Sequence, residues 1–121
     1  MSLLRVHHVQ VTIPKGSEEK ARAFYCSVLG LIEVPKPESL AGRGGFWLQL
    51  GDTQIHVGTE DGVERSATKA HVAYLVNDLE KWRRELSERR ISIIEGIPIP
   101  GYKRFEFRDP FGNRVEMLEN V

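Results

Sequence analysis

With 121 residues, 40% of them hydrophobic, the chain has the size of one ordinary globular domain, and chains near this size bury about two thirds of their unfolded surface. Seventeen Lys plus Arg balance seventeen Asp plus Glu, so no net field draws the chain to nucleic acid or an acidic membrane, and small molecules are its expected partners. No stretch approaches the roughly 18 apolar residues of a membrane helix, and no leader-like apolar segment opens the chain, so it reads as soluble and cytoplasmic.

From the N-terminus, Val9, Val11 and Ile13 alternate with His8, Gln10 and Thr12, the period of a strand with two unlike faces. A helix is predicted over Ser17 to Leu29. Ala21, Phe24, Tyr25, Val28 and Leu29 recur at helical spacing, Ser17 stands at the N-cap, Glu18 and Glu19 fill the first turn, and Gly30 follows the end. Cys26, the single cysteine, lies in this helix, has no partner for an internal disulfide and is expected to pack or meet solvent, with a reactive thiol as the alternative. Strand-like runs follow at Leu31 to Val34, Phe46 to Leu50 and Gln54 to Gly58. The Gly-rich AGRGGF before the second run lacks the Lys and Ser or Thr of a phosphate-binding loop.

Thr59 to Lys69 is polar and aperiodic, a connector, after which the pattern restarts. Ala70 to Val76 reads as a strand. Asn77 with Glu80 forms a capping box for a helix presenting Leu79, Trp82 and Leu86, and further strands are predicted at Ile91 to Glu95, Lys103 to Phe107 and Arg114 to Leu118. The Gly96 to Tyr102 loop fits a surface turn and a lid equally well, and DPFGN (109–113) is a turn. Arg104, Glu106 and Arg108 alternate with Phe105 and Phe107; such a charged row defaults to solvent, with Arg104 able to hold a substrate carboxylate.

Each half therefore reads strand, helix, three strands. The fold class is α+β, a single domain over residues 1–121 made of two βαβββ modules, about 4–58 and about 70–119, with a linker at about 59–69. Apolar rows should cover the helices, leaving the opposite rows to line a concave space.

That second row carries the chemistry. It opens with His8 and His71 on the first strands and ends with His56 and Glu116 on the last strands, at nearly equal separations within the halves, so the four occupy equivalent places in the repeat. Imidazole nitrogens and a carboxylate oxygen suit a divalent transition metal, and three His plus one Glu leave coordination positions open for a substrate. Taken singly, a strand histidine is more often packed or solvated than a ligand. Only four histidines exist, however, and three fall at repeat-equivalent positions. The fourth, His7, points to the opposite face by strand alternation; His8 is chosen because HVQV aligns with HVAY, and a one-residue slip would reverse the choice. Gln10, Thr12, Trp47 and Gln54 are candidate pocket residues.

HVQVTIP, ARAFYCSVLGL, AHVAYLVNDLEK and DPFGNRVEMLEN together resemble the vicinal oxygen chelate superfamily, which includes glyoxalase I, bleomycin and fosfomycin resistance proteins, methylmalonyl-CoA epimerase and extradiol dioxygenases. The resemblance spans nearly the whole chain. It implies an open barrel-like sheet with a concave metal-binding cleft, His8, His56, His71 and Glu116 as ligands of a divalent ion (Ni, Zn, Mn or Fe), and a homodimer, with the modules pairing within a chain or exchanged between chains. It implies a metal-dependent lyase or isomerase acting on a small oxygen-chelating substrate, with Glu116 as ligand and base. The sequence departs from glyoxalase I, which has Glu at the place of His56. Fosfomycin enzymes and dioxygenases use two His and one Glu, matched by His8, His71 and Glu116, which would put His56 behind the ligands or in the pocket. The alternatives are an extradiol-type dioxygenase and a metal-free resistance protein that binds a drug or metabolite.

Overall fold

The computed structural model describes all residues from Met1 to Val121. In chain order they form β1 (His8–Ile13), α1 (Glu18–Arg22, continuing as a π-helical turn over Ala23–Val28), β2 (Ile32–Val34), β3 (Phe46–Leu50), β4 (Thr53–Thr59), β5 (His71–Leu75), α2 (Leu79–Glu88), β6 (Ile94–Glu95), β7 (Tyr102–Arg108) and β8 (Arg114–Asn120). The chain divides into two compact units, Met1–Val63 and Glu64–Val121.

Both units have one topology. The first sheet runs β1-β4-β3-β2 and the second β5-β8-β7-β6. In each, the first strand pairs parallel with the last and the other pairings are antiparallel. Parallel partners need a long crossover, which the helix and the two intervening strands supply. The predicted α+β repeat of strand, helix and three strands is the observed architecture, in two mixed sheets that do not close into a barrel.

Each core is the apolar row of its sheet closed by its helix: Ile13, Ala21, Phe24, Tyr25, Leu48 and Ile55 in the first unit, Leu79, Leu86, Phe105, Phe107, Val115 and Met117 in the second, all buried. A second repeated device lies over these cores. Arg22 of α1 sits 4.7 Å from the Phe46 ring centre and pairs with Glu19 and Glu33, while Arg83 of α2 sits 5.1 Å from Phe105 and pairs with Glu80 and Glu95. The stem of each arginine covers apolar surface while its head meets two carboxylates.

The structure departs from the sequence expectations at the helix ends. The first helix widens midway, with the Leu29 N–H reaching the Phe24 carbonyl at 3.0 Å, and this turn accompanies burial of two consecutive aromatics, Phe24 and Tyr25. It closes with Gly30 at φ +79° and the Leu31 N–H on the Tyr25 carbonyl at 3.0 Å, so Leu31 belongs to the helix end rather than to β2. Ile91 does the same for α2, donating to the Leu86 carbonyl at 3.0 Å after Arg90 at φ 62°, which shortens β6 from the expected Ile91 to Glu95 down to two residues. The second cap is Asp78, not Asn77. The Asp78 carboxylate accepts the Lys81 N–H at 3.1 Å, and the Leu79 N–H is taken by Glu119 from β8 at 3.1 Å. Cys26 is half-buried, and burial followed by the charge of Glu33 pushes its thiol above the usual value, which suits packing rather than reactivity.

Candidate metal and ligand site

The register makes the proposed ligand positions equivalent. In the first unit His8 faces Gln54 and Gln10 faces His56; in the second His71 faces Arg114 and Ala73 faces Glu116. The last-strand residue thus stands diagonally across from the first-strand histidine on the same sheet face in both units.

In the second unit the two side chains meet. His71 Nδ1 lies 2.8 Å from the Lys69 carbonyl, which can only accept, so Nδ1 carries the proton and the lone pair of the neutral ring sits on Nε2. That nitrogen is 3.3 Å from Oε1 of the buried Glu116. Two lone-pair donors face each other, an arrangement that calls for a proton or a cation between them. Nitrogen and oxygen donors each about 2.0–2.2 Å from one ion stand about 3 Å apart at a right angle, so the pair fits one edge of a divalent metal's coordination shell. The carbonyl behind His71 is the orienting partner that metal-bound imidazoles usually have.

Glu116 is also held from the side. Arg104 Nη1 donates to Glu116 Oε1 at 3.1 Å and to Glu106 Oε1 at 3.0 Å, its Nε donates to the Ile97 carbonyl at 2.8 Å, and Arg114 donates a second charged bond to Glu106. Burial pushes the Glu106 carboxyl up, but the hydrogen bonds from Arg114 and Arg104 and their charges outweigh it and leave the group below the usual carboxylate range. The charged row of β7, expected in solvent, is instead largely covered: the Arg104 and Glu106 side chains are each 12% exposed. Mutual neutralisation with the β8 row removes the cost that made solvent the default.

In the first unit His56 is the middle of a ring stack. Trp47 lies parallel on one face (3.9 Å between centres, 3°) and His8 on the other (4.0 Å, 14°). Gly51 fixes Gln49 by accepting from its Nε2 at 2.7 Å, Gln49 Oε1 accepts from Gln54 Nε2 at 3.1 Å, and Gln54 Oε1 is left 2.8 Å from His56 Nε2. By this chain His56 donates from Nε2 and carries its lone pair on Nδ1. Burial, then the neighbouring His8 and His7, depress its basicity. His7 does not take the opposite face. The regular strand begins at His8, so alternation does not govern His7, whose ring meets His8 edge-on with the two Nδ1 atoms 3.0 Å apart. Over this face lies a cavity of about 500 Å³ lined by His7, His8, Gln10, Lys36, Arg43, Trp47 and His56 among others. Of the expected pocket residues Gln10 and Trp47 line it, whereas Gln54 works behind His56. Lys36 and Arg43 escaped the sequence reading, because a lysine and an arginine in a loop carry no periodic signal.

In neither unit do three His, Cys, Asp or Glu side chains gather as a metal-holding group. The second unit brings His71 and Glu116 together; the first brings His7, His8 and His56 together as rings. A structural difference follows the chemical one: across the sheet from His56 stands Trp47, and across from Glu116 stands Glu106.

Comparison with known proteins agrees with this fold. The family described as the Glyoxalase/Bleomycin resistance protein/Dioxygenase superfamily matches residues 5–117. The metallothiol transferase FosB of Staphylococcus haemolyticus (strain JCSC1435) is 28% identical over 93% of this chain and 81% of its own length. A glyoxalase family protein from Bacillus anthracis superposes with a TM-score of 0.92 at 40% identity, covering 100% of this chain and 98% of the other. Lactoylglutathione lyase from Agrobacterium tumefaciens shares the fold at a TM-score of 0.74 and 20% identity, over 98% and 95% of the two chains.

Proposed function

The chain belongs to the Glyoxalase/Bleomycin resistance protein/Dioxygenase superfamily, and from that premise we propose that it is a metal-dependent lyase or isomerase of a small oxygen-chelating substrate. His8, His56, His71 and Glu116 are the proposed donors to a divalent ion (Ni, Zn, Mn or Fe), and the enzyme is proposed to work as a cytoplasmic homodimer. The observation that carries the reading is the His71–Glu116 pair, 3.3 Å apart with His71 already fixed from behind by Lys69.

A bound divalent ion would supply electrophilic stabilisation of substrate oxygens. Lys69 keeps the His71 lone pair on Nε2. Arg104 holds the Glu116 carboxylate by Oε1, leaving Oε2 as the atom to take a proton from carbon next to a substrate carbonyl. His8 opens the corresponding row of the first unit, and His56, its Nε2 committed to Gln54, offers Nδ1.

Elemental analysis of purified protein and of His71→Ala, each reloaded with Ni, Zn, Mn or Fe and dialysed, tests the metal site. Near-stoichiometric metal in the wild type and its loss in the variant are expected; a wild type retaining none would overturn it. Release of a substrate-derived proton to solvent, lost in Glu116→Gln, tests the reaction class. A second reading, a ligand-binding resistance protein, is favoured by the ring-walled cavity of the first unit, about 500 Å³ and lined by His8, Trp47 and His56 among others. Tight binding with no turnover by metal-loaded protein would decide for it.

A further inference from the structure

We propose that the cavity of the first unit reads a small organic oxyanion, a carboxylate or phosphonate, with Lys36 and Arg43 as the residues that recognise its charge. The cavity, about 500 Å³, lies within the range of about 300–1,000 Å³ common to small-molecule sites. Two permanent cations line it and no carboxylate does. In a chain with no net charge this is a local asymmetry: of the acids nearest this loop, Glu33 pairs with Arg22, Glu18 accepts the Gly45 N–H at 3.3 Å, and Glu38 is exposed, and none of the three lines the cavity.

Lys36 is half-buried and donates to the Gly44 carbonyl at 2.6 Å. That contact fixes the ammonium over the cavity without neutralising it, and two of its three donors remain for a ligand. Arg43 ends the short 3-10 turn Glu38–Arg43 immediately before Gly44, so both cations are carried by one loop. Its planar fork of donors suits the parallel oxygens of a carboxylate or phosphonate. The same cavity is lined by the stacked rings of His8, His56 and Trp47, an aromatic wall for an unsaturated body. The inference rests on the reading above only in taking this cavity as the substrate's place; the charge recognition itself needs no metal.

The protein has two tryptophans, so a Trp82→Phe background leaves Trp47 as the single emitter, within the cavity wall. With chelator present, titration with phenylphosphonate and with benzoate should change Trp47 emission saturably for at least one anion, and neutral benzyl alcohol should bind about tenfold more weakly or worse. Lys36→Met and Arg43→Met should each weaken anion binding by about tenfold, and the charge-conserving Lys36→Arg and Arg43→Lys should restore most of it. The inference is overturned if no anion binds, if the alcohol binds as tightly, or if the double Met variant, folded as judged by circular dichroism, keeps wild-type affinity. Protein that holds no metal yet binds the anion would end the metal reading and leave this one standing.

Discussion

Glu106 and Glu116 stand directly opposite one another on β7 and β8, and a single atom, Arg104 Nη1, bonds both, at 3.0 and 3.1 Å. Facing carboxylates on one sheet face repel, so the sheet is stable here because the guanidinium lies between them. Arg104→Met should lower unfolding stability by about 2 to 3 kcal/mol, less than the loss of an isolated buried partner because Arg114 still holds Glu106. In urea denaturation the additional Glu116→Gln change should recover part of that loss, since it removes one of the two repelling charges. Independent, additive losses would show that the three groups do not act together.

A quieter change should reach the same residue. A Cβ built on Gly96 would lie 2.6 Å from Arg104 Cζ and 2.7 and 2.8 Å from its terminal nitrogens. Gly96→Ala therefore pushes the guanidinium off both carboxylates while keeping its charge. We expect Gly96→Ala to cost stability in the wild type and much less in the Arg104→Met background, where the obstructing group is gone. Equal cost in both backgrounds would place the strain in the backbone instead.

His56 makes a prediction about pH. Its folded basicity is depressed, first by burial and then by His8 and His7. The unfolded chain therefore binds the extra proton more readily than the folded one. Stability from this group is complete above the ordinary histidine pKa of about 6.5 and declines as pH falls through that value toward the lower folded one. His56→Phe keeps a flat ring between Trp47 and His8 but cannot titrate. In metal-free protein, the stability difference between wild type and His56→Phe should be constant from pH 7 to 8 and shift against the wild type between about pH 6.5 and 5. A difference that stays flat across that range would mean the proton is accommodated inside the stack.

The repeat was legible because it is written in periodicity: alternation in β1, helical spacing in α1 and α2, and turn residues between strands. The equivalence of His8 with His71 and of His56 with Glu116 followed from that repeat and reappears in the strand register. What the sequence concealed is what depends on which atom meets which. Arg22 and Arg83 look like ordinary helix-surface charges until their rings and outer-strand glutamates are seen. The burial of Arg104 with Glu106 needs knowledge that β8 carries its own charged row in register. His7 was misplaced because the strand starts one residue later than alternation assumed.

The cap of α2 separates two neighbours that sequence treats as interchangeable. Asp78 accepts the Lys81 N–H, whereas Asn77 precedes the cap. Asp78→Ala should cost about 1 kcal/mol in thermal or urea unfolding, and Asn77→Ala no more than a few tenths. The reverse order would restore Asn77 with Glu80 as the helix start.

Metal retention should rank the proposed donors by what their nitrogen and oxygen atoms already do. His71 and Glu116 present acceptor atoms to one another and have their other contacts arranged around that meeting, so His71→Ala and Glu116→Gln should each weaken binding of Ni, Zn or Mn more than about 100-fold. His56 is the most constrained of the proposed donors, with Nε2 engaged by Gln54, both ring faces covered by Trp47 and His8, and only Nδ1 left for the ion, so its loss should cost no more than the roughly 10- to 100-fold typical of residues that support a metal's ligands. His56→Gln should therefore fall at the lower end of that range in a competition titration, with His8→Gln closer to His71→Ala. If His56→Gln matched His71→Ala, Nδ1 of His56 would be as strong a ligand as His71 while Nε2 stays on Gln54, and Trp47 emission, set by its stacking on that ring, should change on metal addition.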